Sequence, residues 1–196
     1  MNDIVALVLA AGESKRMKTT KMLLPFNGKT IIEKVIDNII GSGVDKIMVV
    51  LGACKDDILK VIRNYSLMHC YNENYKQGML SSVKCGFRSI PDGYNAVLVF
   101  LGDQPMIPAK VIEKVMAAYR GAKKGIVIPI YNSKRGHPLL IDKKYKDEIE
   151  KMDMKDSLRY IAQKFPDDVL EVETKTPAIL KDIDTQEDYL KEINQI

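Results

Sequence analysis

At 196 residues with 46% hydrophobic content, the chain is long enough to bury a sizeable core and suits a single domain over 1–196. A net charge of +4, with acids and bases mixed and no aromatic-plus-basic stripe, argues against a nucleic-acid partner and fits a small polyanionic ligand. The apolar runs fall far short of the roughly 20 residues of a membrane helix, and Met1-Asn2-Asp3 lacks the basic opening of a signal peptide, so no membrane partner and a cytoplasmic location are expected. Cys54, Cys70 and Cys85 are odd in number and form no C-x-x-C pair, which excludes a disulfide framework and a zinc site and leaves them as buried small apolar residues.

Ile4 to Leu9 is a continuous apolar run of the kind a buried parallel strand needs, and it breaks into Ala10-Ala11-Gly12-Glu13-Ser14-Lys15-Arg16-Met17, with Lys21-Met22-Leu23-Leu24-Pro25 close behind. Small residues let backbone N–H groups approach phosphate oxygens, Gly12 tolerates dihedrals that other residues do not, and Arg16 and Lys21 supply countercharge. An ordinary strand-to-helix loop with solvated cations is the competing reading. From Thr30, residues Ile31, Ile32, Val35, Ile36, Ile39 and Ile40 recur on one helical face, and Gly41 and Gly43 end it. Lys46 to Leu51 reads as a strand, Asp56 to Asn64 as a helix and Met68 to Tyr71 as a short strand. This alternation predicts an α/β fold with a mainly parallel sheet and helices on both faces.

Asn72 to Gly86 departs from simple patterning, with Asn74, Gln77-Gly78-Met79, and Ser81-Ser82 opening a helix, where they serve either as caps or as ligand groups. Ala96 to Leu101 is a second buried strand running into Gly102-Asp103-Gln104-Pro105. A carboxylate at that strand end lies where ligands bind in open α/β sheets, and paired with a phosphate-type loop it suits a metal-bound phosphate; it also suits a plain helix cap. Ala109 to Arg120 is an amphipathic helix and Gly125 to Ile130 a strand. Lys134-Arg135-Gly136-His137-Pro138 then turns into Leu139 to Ile141. His137 has no neighbouring Ser or Cys to activate, which speaks against a general base, and Arg135 is the better candidate for an anionic acceptor. Helices are expected over 147–152 and 156–164, and a peripheral strand over 169–172. Ile179 to Ile183 reads as a short strand ending in Asp182 and Asp184, two acids at alternate positions suited to a second metal contact or to capping, and Thr185 caps a last helix.

There is no G-x-G-x-x-G after the first strand, no G-x-x-x-x-G-K-[ST], no H-E-x-x-H and no G-x-S-x-G. Dehydrogenases, P-loop hydrolases, zinc peptidases and serine esterases lose their support accordingly.

The motifs resemble those of the MobA-like nucleotidyltransferases, and within them the molybdenum cofactor cytidylyltransferases. Leu9-Ala10-Ala11-Gly12-x-Ser14-x-Arg16-Met17 with Lys21-x-Leu23-Leu24-Pro25 resembles the nucleotide loop. Asn74-x-x-x-Gly78-Met79-x-Ser81-Ser82 resembles the next motif, Gly102-Asp103-Gln104-Pro105 the metal motif, Arg135-Gly136-His137-Pro138 the acceptor-side motif and Asp182-Ile183-Asp184-Thr185 the closing one. Lys18 departs from the family's usual glycine, and Lys155-Asp156-Ser157-Leu158-Arg159 from its Gly-Ala-Arg type sequence.

The resemblance implies a three-layer α/β/α, Rossmann-like nucleotidyltransferase fold and a Mg²⁺-dependent transfer of CMP from CTP to the terminal phosphate of molybdopterin, with release of pyrophosphate. Arg16, Lys21 and Asp103 would be catalytic, with Asp103 and Asp182 or Asp184 on the metal. Leu9, Ala10, Ala11, Gly12, Asn74, Gly78, Ser81 and Ser82 would bind nucleotide, and Arg135 and His137 the acceptor. A molybdenum hydroxylase apoenzyme is the implied downstream partner. The competing functions are a same-fold enzyme using GTP or a sugar or alcohol phosphate, and a non-catalytic nucleotide-binding module.

Overall fold

The computed structural model describes residues 4–14, 17 and 19–193. In chain order the strands and α-helices are β1 (Ile4–Ala10), β2 (Pro25–Phe26), β3 (Lys29–Thr30), α1 (Ile31–Gly41), β4 (Ile47–Leu51), α2 (Lys55–Ile62), β5 (Met68–Tyr71), α3 (Met79–Ser89) and β6 (Ala96–Leu101), followed by α4 (Ala109–Gly121), β7 (Ile126–Tyr131), β8 (Lys134–Arg135), β9 (Leu139–Asp142), α5 (Lys146–Lys151), α6 (Arg159–Lys164), β10 (Val169–Glu173) and α7 (Gln186–Ile193). The main sheet has the order β10-β7-β9-β6-β1-β4-β5, with β8 hydrogen-bonded to β7.

The two apolar runs form the centre of the sheet. β1 pairs in parallel with β6 on one side and β4 on the other, so the strand order switches direction at β1. Period-2 alternation divides β1 between two cores: Ala6, Val8 and Ala10 face the layer of α1, α2 and α4, while Val5 and Leu7 face that of α3, α5 and α6. The three-layer architecture follows, because a sheet apolar on both faces must be covered on both. α1 begins as its sequence indicates: the Glu33 N–H donates to the Thr30 hydroxyl while the Glu33 carboxylate accepts from the Thr30 N–H, a capping box. Thr185 and Asp188 make the same reciprocal pair ahead of α7.

Three expectations need correction. Ile179 to Ile183 is not a strand: Pro177–Leu180 is a 3-10 turn, started by Pro177 and capped by the Thr176 hydroxyl, which accepts from the Ala178 N–H. Residues 156–158 precede the helix rather than open it, since α6 starts at Arg159. The sheet itself is mainly parallel, as expected, with β9 antiparallel to both β6 and β7. The three cysteines are part-buried rather than buried. Among the described residues, no helix is long and apolar enough to cross a membrane.

One glycine outside the predicted motifs shapes the sheet's upper edge. A Cβ on Gly52, just past β4, would lie 2.4 Å from the Ala11 carbonyl oxygen and 2.7 Å from its Cβ, and the Ala53 N–H donates to that same carbonyl. Gly52→Ala is therefore expected to cost about 1–3 kcal/mol as an overpacking change against backbone, read as a lower urea midpoint at unchanged slope. A wild-type midpoint would show that the loop at Ala11 yields freely.

Candidate active site

At the carboxyl ends of β1 and β6 the chain opens into a crevice, the position that a strand-order switch leaves uncovered. The Gly102 N–H donates to the Leu9 carbonyl, which carries the β1–β6 pairing to the last residue before Asp103. A cavity of about 250 Å³ lies there, lined by residues including Leu9, Ala11, Gly12, Lys21, Ser82 and Asp103. It adjoins a second, more open space of about 410 Å³, which shares Gly12, Lys21, Tyr75 and Gly78 and adds Ser14 and Asp184.

Lys21 occupies the charged end of this crevice. Its Nζ donates to Asp103 Oδ2 at 2.5 Å and to Asp184 Oδ1 at 2.8 Å, joining residues from the first loop, the end of β6 and the segment before α7. Burial opposes the charge on this amine, but the two carboxylates overcome it and raise the pKa. Asp182 accepts a hydrogen bond from the Gln104 amide. Its pKa is raised, first by burial and then by its like-charged neighbours Asp103 and Asp184.

The second oxygen of Asp103, Oδ1, is buried with no hydrogen-bond partner among the described residues, as is Gln104 Oε1. A buried carboxylate oxygen without a donor is costly unless something electropositive meets it. Hard oxygen donors of this kind fit a divalent cation such as Mg²⁺. Among the described residues no three His, Cys, Asp or Glu side chains converge tightly enough to hold an ion by themselves, so such a cation would share its shell with phosphate oxygens of a ligand.

The remaining candidates divide. Gly12 does not adopt a left-handed conformation; that role in the loop falls to Ser14, with φ 51°. What Gly12 provides is space: it lines both parts of the crevice, and a Cβ there would meet nothing within 4 Å. Gly78 does need its residue type, with φ 101° where it turns the chain into α3. Ala10 faces the core beneath the crevice, on the opposite side of β1 from Ala11. Ser81 is a structural hydroxyl: it donates to the Asn74 and Gly78 carbonyls and accepts from the Asn72 amide. Asn74 and Ser81 line a separate depression and do not reach the crevice. Arg16 and Lys18 lie outside the described residues.

On the acceptor side, Arg135 stands on β8 in an exposed ion pair with Glu171, 2.7 Å away, and does not line the crevice. A two-residue edge strand turns its side chain toward β10 instead. His137 lies nearer the carboxylates. Burial pushes its imidazole down to about 4, with Asp103 opposing and Arg159 adding to the shift, so the ring is neutral at physiological pH.

Sequence reasoning missed Asn72, which is buried and donates to both Ser81 and Ser82, and Tyr75, which lines both spaces of the crevice. Gln104 was visible in its motif, but its hold on Asp182 was not.

Comparison with known proteins identifies the family. A family model described as the MobA-like NTP transferase domain matches residues 6–169, which leaves Asp182 and Asp184 beyond the matched stretch. The chain is 27% identical over 192 residues to the molybdenum cofactor cytidylyltransferase of Escherichia coli (strain K12), covering 97% of this chain and 95% of that one. It is 28% identical over 147 residues, 71% of each chain, to the nicotine blue oxidoreductase of Paenarthrobacter nicotinovorans. Among solved structures, a nucleotidyl transferase from Methanothermobacter thermautotroptrophicus superposes with a TM-score of 0.85 at 23% identity, over 100% of this chain and 98% of that one, a likeness of fold. The chain belongs to the MobA-like NTP transferase family.

Proposed function

We propose that this chain transfers CMP from CTP to the terminal phosphate of molybdopterin, releasing pyrophosphate, with Mg²⁺ as its cation. The observation that carries the reading is Lys21 clasped between Asp103 and Asp184 at one end of the crevice, beside a carboxylate oxygen that has no hydrogen-bond partner among the described residues. The near-full-length likeness to the Escherichia coli cytidylyltransferase supports the choice of nucleotide and acceptor.

An attacking phosphate oxygen is already a nucleophile and needs no side chain to deprotonate it, so the chain's task is positioning and charge. Burial leaves His137 a weak base, down to about 4, which agrees with a site that needs no general base, and we assign the ring to the acceptor side. Gly12 leaves room for phosphates to approach the backbone, and Ser82 and Gly78 border the space for the nucleoside. Asp103, with Asp182 or Asp184, would hold Mg²⁺, which would supply positive charge to offset that of the bound phosphates. Lys21, and Arg16 on the sequence reading, offset the charge that develops on the leaving pyrophosphate.

The direct test mixes the protein with Mg²⁺, each NTP in turn and molybdopterin, and follows pyrophosphate release. Release that needs both CTP and molybdopterin is expected; release without an added acceptor, or only with a sugar phosphate, overturns the assignment.

Asp103→Asn is expected to lower turnover by about 10² or more with the fold intact, because an amide is a weaker ligand for a hard cation. Near-wild-type turnover at saturating Mg²⁺ would remove Asp103 from the metal. Lys21→Ala should lower kcat more than it raises KM, since the charge it offsets develops only in the transition state. A pure KM effect would make Lys21 a simple binding group.

The base preference rests on Ala11, which lines the cavity. It excludes a two-ring base more than a one-ring base, and a methylene-sized change in a pocket is typically worth about 1–3 kcal/mol. Ala11→Gly is expected to narrow the CTP-over-GTP ratio of kcat/KM without inverting it. A wild-type preference for GTP would overturn the cytidylyl assignment.

A further inference from the structure

Two of the cysteines, fifteen positions apart in the chain, meet in space. Cys70 stands on β5 and Cys85 on α3; the Cys85 Sγ is 3.7 Å from the Cys70 Sγ and 3.6 Å from the Tyr71 carbonyl oxygen. Both are free thiols. The sulfurs are in van der Waals contact, and roughly 1.7 Å of closure separates 3.7 Å from a bond of about 2.0 Å.

We propose that Cys70 and Cys85 are a thiol-oxidation site for peroxides, forming a reversible disulfide that rings the segment carrying Gly78 and Ser82 and so controls nucleotide binding in the crevice. The control rests on the nucleotide-binding reading given above; the oxidation site does not.

Access and order follow from the surroundings. Cys85 lines an open cavity of about 270 Å³ together with Asn72, Lys84 and Arg88, so a small peroxide reaches its sulfur. Cys70 does not line that cavity, and burial pushes its thiol up to about 12, which keeps it protonated and assigns the first step to Cys85. The Cys85 sulfur attacks one oxygen of hydrogen peroxide and the O–O bond breaks, giving a sulfenic acid and one water. The Cys70 sulfur then attacks the Cys85 sulfur. The displaced hydroxide takes the Cys70 proton and leaves as a second water. Two thiols lose two electrons in all, and one peroxide becomes two waters.

The ring closes on residues that shape the crevice. Asn72, two residues after Cys70, donates to Ser81 at 2.8 Å and to Ser82 at 3.0 Å. Ser82 lines the crevice and lies one helical turn before Cys85 on α3. Drawing α3 toward β5 therefore moves Ser82 against the Gly78 turn, and misplacement of about 1 Å at a site of this kind can cost about 10²-fold.

The test titrates the whole protein with hydrogen peroxide, blocks remaining thiols by alkylation and maps peptides by mass, with CTP binding followed by calorimetry on the same samples. A Cys70–Cys85 cross-linked peptide with Cys54 alkylated is expected, together with a fall in CTP affinity of about tenfold or more that dithiothreitol reverses. Cys85→Ser and Cys70→Ser should each bind CTP normally and keep that affinity under peroxide. The proposal is overturned if oxidised Cys85 accumulates while Cys70 remains alkylatable, or if the cross-link forms and CTP affinity does not change. Absence of CTP binding by the reduced protein would instead strike the functional reading and the control clause with it, while the cross-linked peptide would still report on the thiol pair.

Discussion

The parallel pairing of β1 with β6 sets Leu9 beside Leu101, so the two strands end at one level and release Ala11 and Asp103 into the same crevice. Every group with chemical potential in the site is placed relative to that pair of strand ends. The pairing is held by residues with no chemistry at all: Val5, Ala6, Leu7 and Val8 are almost completely buried, as are Val97, Leu98 and Val99 opposite them. Two close-packed cores press on the sheet from either face, and a packed interior resists small displacements. The site thus takes its precision from a scaffold of aliphatic side chains rather than from its own polar contacts.

Within that frame, charge balance decides the shape of the crevice floor. Asp103, Asp182 and Asp184 lie close enough for their charges to be felt mutually. Lys21 relieves two of them directly and Gln104 supplies an amide donor to the third. Lys21 and Asp103 are the shielded pair of this part-exposed cluster, and leaving either without its partner is costly, which explains why Lys21 returns to the carboxylates instead of extending into solvent. The same arithmetic describes what the crevice can accept: among the described residues one lysine faces three carboxylates, so a triphosphate, itself negative, is best accepted together with a cation.

Much of this was legible in the chain because it is local. The apolar runs of β1 and β6, the spacing of isoleucines in α1 and the Thr185 cap depend on neighbours within a few residues, and each appears where the sequence placed it. The reversal of β9 was not legible, since four apolar residues look alike in either direction. The 3-10 turn at Pro177–Leu180 was hidden because Ile179 and Ile183 are buried as strand residues would be. Gly52 carries no local signal: its constraint is the Ala11 carbonyl, forty-one positions away. Arg135 misled for the opposite reason, a cation in a motif whose geometry turns it to Glu171 on the edge strand β10. Side chains answer to partners brought in by the fold, and those partners are invisible until it is known.

Asp184 reaches Lys21 across 163 positions, and the Ile183 N–H donates to the Asp103 carbonyl beside it. The sheet that supports the crevice needs nothing beyond β10, which ends at Glu173. During synthesis from the N-terminus, a chain can therefore have its entire sheet in hand while Lys21 still lacks its second carboxylate. The crevice takes its final charge only when residue 184 has emerged and the segment after the Pro177 turn has folded back over the end of β6. A nascent chain stalled before that point would carry the shape of the site without its electrostatics.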